Sequence, residues 1–144
     1  MLVPLARALT AAEAPALEGA GLTMWAYVVL TRLLEGPADT QAALASEIGA
    51  DKTRLIPVLD ELQTQGLIER FADPADRRRH TLRATAEGRR RQAAAQAAIR
   101  LNEDRVLAML PADEREAFVR GLVKLSRLPR EALLSSRGPA PAAP

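Results

Sequence analysis

The chain has 144 residues, 48% of them apolar and 3% aromatic, with a formal net charge of +2. That length suffices for one domain whose core is built mainly from Leu, Ala, Val and Ile, and abundant alanine favours helix. The lack of cysteine excludes disulfides, thiolate metal sites and cysteine redox sensing; the single histidine, His80, cannot build a metal site, and no apolar run reaches membrane-spanning length.

In chain order, Leu2 to Glu18 reads as a helix that bends at Pro15 or restarts at Thr10, which has capping-box spacing to Glu13. Thr23 caps a second helix, Met24 to Leu34, with Trp25, Val28, Val29 and Leu33 on one face; Gly36 and Pro37 stop it. Thr40 opens a short helix, Gln41 to Ile48, with Leu44, Ala45 and Ile48 inward, and Gly49 breaks it. Asp51 caps the next helix, which runs to about Gln65 with Leu55, Val58, Leu59 and Leu62 as its apolar positions and ends at Gly66. Two helices joined across a short Gly-containing break form a helix-turn-helix.

The pattern then changes. Leu67 to Phe71 reads as a strand, Asp73 to Asp76 as a turn, and Thr81 to Ala84 as a returning strand, with Arg77, Arg78, Arg79 and His80 between. Thr85 caps an alanine-rich helix to about Leu110. Pro111 interrupts it, and Asp113 to Leu128 is a last amphipathic helix with Phe118, Leu122 and Leu125 inward. Gly138 to Pro144 has little to bury and is expected to be disordered. The expected fold is mainly α with a small β-hairpin wing: a winged helix-turn-helix with six helices.

Reading DNA requires an element that fits the major groove with polar side chains at its leading end. The second helix of the motif begins with Asp51, Lys52, Thr53 and Arg54. Lys52 suits phosphate; Thr53 and Arg54 suit base edges. Asp51 is a cap rather than a DNA ligand, since phosphate repels a carboxylate. Backbone N–H groups at the helix starts, around Thr40 and Gln41 and around Asp51, can bind phosphate oxygens. The alternative is a capped surface helix with solvated charges. Arg77, Arg78 and Arg79 weigh against it: three adjacent like charges on a tight turn repel one another, an arrangement that makes sense if a polyanion meets them. Arginine in a narrow minor groove is the expected use, with Asp76 orienting Arg78.

From Leu22 to about Gly88 the chain resembles the MarR (multiple-antibiotic-resistance regulator) family. The matching pieces are Gly21-Leu22-Thr23, Thr40-Gln41-Ala42-Ala43-Leu44-Ala45, Asp51-Lys52-Thr53, Gly66-Leu67-Ile68-Glu69-Arg70, Asp73-Pro74-Ala75-Asp76-Arg77-Arg78 and Thr85-Ala86-Glu87-Gly88. The resemblance implies a dimer whose first, fifth and sixth helices interleave. It implies Thr53 and Arg54 in the major groove and Arg78, braced by Asp76, in the minor groove. It also implies a pseudo-palindromic operator, usually repressed, and release by a small, often aromatic and anionic, ligand. Two residues depart from the pattern. Pro57 stands inside the recognition helix, lacks an N–H for the Thr53 carbonyl, and is expected to bend it. Ala84 replaces a usual Leu, which predicts looser packing of the second wing strand.

A homodimer is expected on independent grounds, because the last two helices are amphipathic with no further domain to cover them. Leu107, Leu110, Phe118, Leu122 and Leu125, with Leu2, Leu5 and Leu9, are the candidate interface; the alternative is packing within one chain. Two-fold symmetry would set the recognition helices about 34–36 Å apart, one DNA turn. The expected organisation is an N-terminal dimerisation helix (1–22), a DNA-binding domain (23–88), C-terminal dimerisation helices (89–135) and a tail (136–144). Trp25, Tyr27 and Arg32 could hold an anionic aromatic effector; the competing reading puts Trp25 in the core, Tyr27 at its edge and Arg32 on the surface. No catalytic constellation, metal site or cofactor is expected. The N-terminus lacks signal-peptide character, so a cytoplasmic protein is expected. The expected partners are double-stranded DNA, a second copy and a small-molecule effector, with no membrane. The competing function is a winged-helix protein–protein module whose basic wing docks an acidic partner.

Overall fold

A computed structural model describes residues 2–72, 80–129 and 132. Asp76, Arg77, Arg78 and Arg79, and the predicted tail, lie outside the described residues. The elements run α1 (Leu2–Gly19), α2 (Met24–Glu35), α3 (Gln41–Glu47), α4 (Lys52–Thr64), β1 (Ile68–Ala72), β2 (His80–Ala84), α5 (Ala86–Leu107) and α6 (Ala112–Ser126). Among the described residues, six helices and an antiparallel strand pair match the predicted winged helix-turn-helix. Pro15 stands within a continuous α1, and Pro57 within a continuous α4. By contacts the chain forms two compact units, 1–103 and 104–144.

The first unit holds the core. Val29 and Leu30 of α2, Leu44 of α3, and Leu55, Leu59 and Leu62 of α4 pack with Leu67, Ile68 and Leu82 of the hairpin; Leu17 and Leu22 join from the α1 end, and Ala95 and Ile99 from α5. Trp25 does not belong to this cluster, contrary to expectation. The buried stripe of α2 is Ala26, Val29, Leu30 and Leu33, and at 100° per residue Trp25 lies about a quarter-turn off its centre. It is 36% exposed.

The hairpin pairs Ile68 with Ala84 and Ala72 with His80. Its inner edge is not open. Ala38, in the α2–α3 connection, donates to the Leu82 carbonyl at 3.1 Å and accepts from the Leu82 N–H at 2.8 Å. Ala84 is buried despite its small side chain.

Thr85 joins the wing to α5. Its hydroxyl donates to the Gly66 carbonyl at 2.7 Å and accepts from the Gly88 N–H at 3.0 Å, while its own N–H donates to the Leu67 carbonyl at 3.0 Å. One turn on, α5 crosses the backbone closely: a Cβ on Gly88 would overlap the Leu67 carbonyl and come within 3.1 Å of Leu30 Cδ2. Further along α5, Gln92 is buried and donates to Thr31 Oγ1 at 3.1 Å.

On the outer side of α5, hydrogen bonds from Arg90 and Arg91 hold the Glu87 carboxyl at about 2, below its ordinary 4.5. A depressed carboxyl contributes stability above its unfolded-state value and loses it as pH falls through its folded value. The stability gap between the parent and Glu87→Gln should therefore be constant near neutrality and close as pH drops from 4.5 toward 2. An unfolding series in that window checks this; a gap that widens with acid contradicts it.

In the second unit α6 buries none of its residues. Phe118, Leu122 and Leu125, expected inward, are 37%, 48% and 52% exposed. An amphipathic stripe is buried only where another layer covers it, and the described residues of this unit supply none beyond the end of α5.

Candidate nucleic-acid interface

The α3–α4 turn depends on local chemistry. Gly49 adopts φ +65°, a left-handed conformation that favours glycine, and the Ala50 N–H closes α3 onto the Ala45 carbonyl at 2.9 Å. Asp51 Oδ1 then accepts from the N–H groups of Thr53 at 2.8 Å and Arg54 at 3.3 Å, capping α4. Leu55, Leu59 and Leu62 anchor one face of α4 in the core. The side chains of Lys52, Thr53 and Arg54 are thereby left exposed.

Thr40 caps α3, its hydroxyl accepting from the Ala43 N–H at 3.0 Å; Gln41 follows, half-buried. Past the first turn, α4 presents Ile56, 41% exposed, and Pro57, also exposed. The following turn is acidic. Asp60 pairs with Arg70 of β1 at 2.6 Å, and Glu61 accepts from Gln65 at 2.6 Å. The Arg70–Asp60 pair ties the wing root to α4, although Arg70 Nε is buried without a partner. At the same root Arg83 lies 5.4 Å from the centre of the Phe71 ring, a cation–π distance. Strand alternation puts Phe71 and Arg83 on one face, so this pair was within reach of the sequence but was not identified there.

Trp25, Tyr27 and Arg32 do not form a free cradle. Tyr27 packs against the core. Arg32 is half-buried and already engaged: it pairs with Glu47 of α3 at 2.7 Å and donates to the Gly36 carbonyl at 3.2 Å. A cleft of about 450 Å³ lies between the α1–α2 turn and α4; Leu22, Ala26, Val58 and Leu62 form its apolar part, and Glu18 and Glu61 stand beside them. Among the described residues no group of His, Asp and Glu side chains could hold a metal ion, and no helix is long and apolar enough to cross a membrane.

The MarR family model matches residues 22–80. The HTH-type transcriptional repressor Rv2887 of Mycobacterium tuberculosis is 34% identical over 110 residues, covering 76% of this chain and 79% of the repressor. A Thauera aromatica protein named for regulation of the hcr operon is 32% identical over 104 residues; the match spans 72% of this chain and 62% of that protein. The transcriptional repressor CouR, solved bound to a 23-mer DNA duplex, superposes with a TM-score of 0.74 and 28% identity over 88% of this chain and 89% of CouR. Rv2887 has itself been solved with p-aminosalicylic acid, at a TM-score of 0.73, 30% identity, and coverage of 87% of this chain and 95% of that one. The fold, the capped first turn of α4 and these relatives agree: the chain belongs to the MarR family of winged helix-turn-helix transcriptional regulators.

Proposed function

We propose that the protein is a cytoplasmic homodimer that binds a pseudo-palindromic operator in double-stranded DNA and represses transcription from it. The observation that carries this reading is the first turn of α4: Lys52, Thr53 and Arg54 are exposed on a helix whose opposite face is locked into the core. In this reading Thr53 and Arg54 meet base edges in the major groove and Lys52 meets phosphate. Thr40 and Gln41, at the start of α3, meet phosphate through their backbone N–H groups. Arg77, Arg78 and Arg79 reach the minor groove from the wing, with Asp76 orienting Arg78.

Residues 23–88 form the DNA-binding part. The segments 1–22 and 89–135 form the dimer, supported by the exposed Phe118, Leu122 and Leu125. The chemistry is binding and release, without catalysis. An anionic effector lodged at Trp25, Tyr27 and Arg32 would compete with Glu47 for the guanidinium and so loosen α2 from α3. The p-aminosalicylic acid bound to Rv2887 is a ligand of that class.

A mobility-shift titration against a duplex from the promoter beside the gene tests the reading. Neutralising several phosphates releases counterions, so affinity should fall by roughly 10³-fold or more between 50 and 200 mM salt. Binding that is insensitive to salt and equal for unrelated duplexes would overturn it.

A further inference from the structure

We propose that Ile56 and Pro57 are specificity determinants that read thymine methyl groups in the major groove. The inference rests on the DNA-binding reading above and extends it to the second turn of α4. Ile56 follows Lys52, and Pro57 follows Thr53, each by four residues. Pro57 therefore stands on the side of Thr53, the base-reading residue, and Ile56 on the side of Lys52, where base edges border the phosphate backbone, each about 6 Å further along the axis. That displacement corresponds to roughly two base-pair steps of ~3.4 Å.

Both are exposed apolar residues, about 100° apart around α4, in the turn where a groove-reading helix usually carries hydrogen-bonding side chains. Ile56 is 41% exposed, while its neighbours Leu55 and Leu59 are sealed in the core. Pro57 offers neither a polar side chain nor a backbone N–H. Among the groups that base pairs display in the major groove, only the C5-methyl of thymine matches such a surface. A donor or acceptor edge placed there would lose its water without gaining a partner.

The reach of this surface is bounded. Beyond Pro57 come the carboxylates of Asp60 and Glu61, engaged by Arg70 and Gln65. As carboxylates they repel the phosphate backbone and oppose a close approach of the duplex there. The readable surface of α4 therefore spans residues 52–57: polar for one turn, apolar for the next.

The experiment has two stages. Duplexes are first enriched from a random-sequence library on the parent protein. Each thymine of the winning duplex is then replaced, one at a time, with deoxyuridine, which removes only the methyl group. At one or two thymines in each half-site, about two base pairs from the strongest first-turn contact, affinity should fall about fourfold, the effect of one methyl group's burial. Ile56→Ala and Pro57→Ala, both at exposed positions, should bind the thymine duplex about fourfold less tightly and be indifferent to uracil there. Uracil tolerated within twofold at every position, or an equal penalty in parent and variants, overturns this inference and leaves the DNA reading intact. Failure of any duplex to be enriched overturns both.

Discussion

Replacing Gly88 with alanine is expected to be the most damaging single change among the described glycines. The added methyl would fall on the Leu67 carbonyl and press on Leu30 Cδ2. The Leu67 carbonyl cannot retreat, because it accepts from Thr85 while the Leu67 N–H donates to the Leu62 carbonyl at 2.8 Å. Relief therefore means pushing α5 off the hairpin. Overpacking of this kind costs roughly 3 kcal/mol or more, which lowers Tm by about 10 °C in a chain of this size. Gly121, in the middle of α6, is the control, since a Cβ there meets nothing within 4 Å. Its alanine variant should gain roughly 0.5–1 kcal/mol from helix preference, and a loss instead would place Gly121, which shares a face with Phe118, Leu122 and Leu125, in the dimer contact. Thermal unfolding of the two variants checks the pair of signs; a Gly88→Ala protein as stable as the parent would show that α5 does not need this approach.

Arg54→Ala should cost the protein most of its discrimination among operators. Arg54 leaves the capped turn with its side chain exposed, and a bidentate guanidinium–guanine contact is worth roughly 1–3 kcal/mol, or about 5- to 150-fold between the right and wrong base pair. Affinity for unrelated DNA should change little. Arg78→Ala gives the complementary result: weaker binding and a shallower salt dependence, since a cation near the duplex is lost. Competition titrations with cognate and scrambled duplexes separate the two patterns. Equal affinity of the parent and both variants for the cognate duplex would remove these residues from the interface.

The parts of the fold that could be read from the sequence are those governed by short-range chemistry. Thr23, Thr40 and Asp51 each accept from an N–H of the helix they open; capping needs only a suitable side chain beside a helical run. Gly49 and Gly66 end α3 and α4 because their left-handed φ suits glycine. The first strand was placed one residue early because Leu67 N–H is taken by the Leu62 carbonyl as the closing bond of α4, so pairing starts at Ile68. His80, read as part of the turn, is the first residue of β2 because it pairs with Ala72.

What escaped the sequence depends on distant neighbours. Trp25 has the residue type of a core anchor, but the stripe chosen by α2 is set by what α4 and the hairpin offer. The partnership of Arg32 with Glu47, and of Arg70 with Asp60, joins residues that no periodicity links. Gly88 looks from the sequence like an ordinary weak point in a helix; only the proximity of Leu67 gives it a purpose. The inward assignment of Phe118 assumed a covering layer that the described protomer does not supply.

The pair of hydrogen bonds between Ala38 and Leu82 carries a mechanical consequence. It splices the connection before α3 onto the root of the wing, so the lever that could tilt α3 also pulls on β2. The root of the hairpin and the start of α3 are thereby held together. In the proposed dimer, a signal that frees DNA by altering geometry would act on the spacing between two such units, and the amides of Ala38 and Leu82 should exchange with deuterium only as slowly as the leucine core opens.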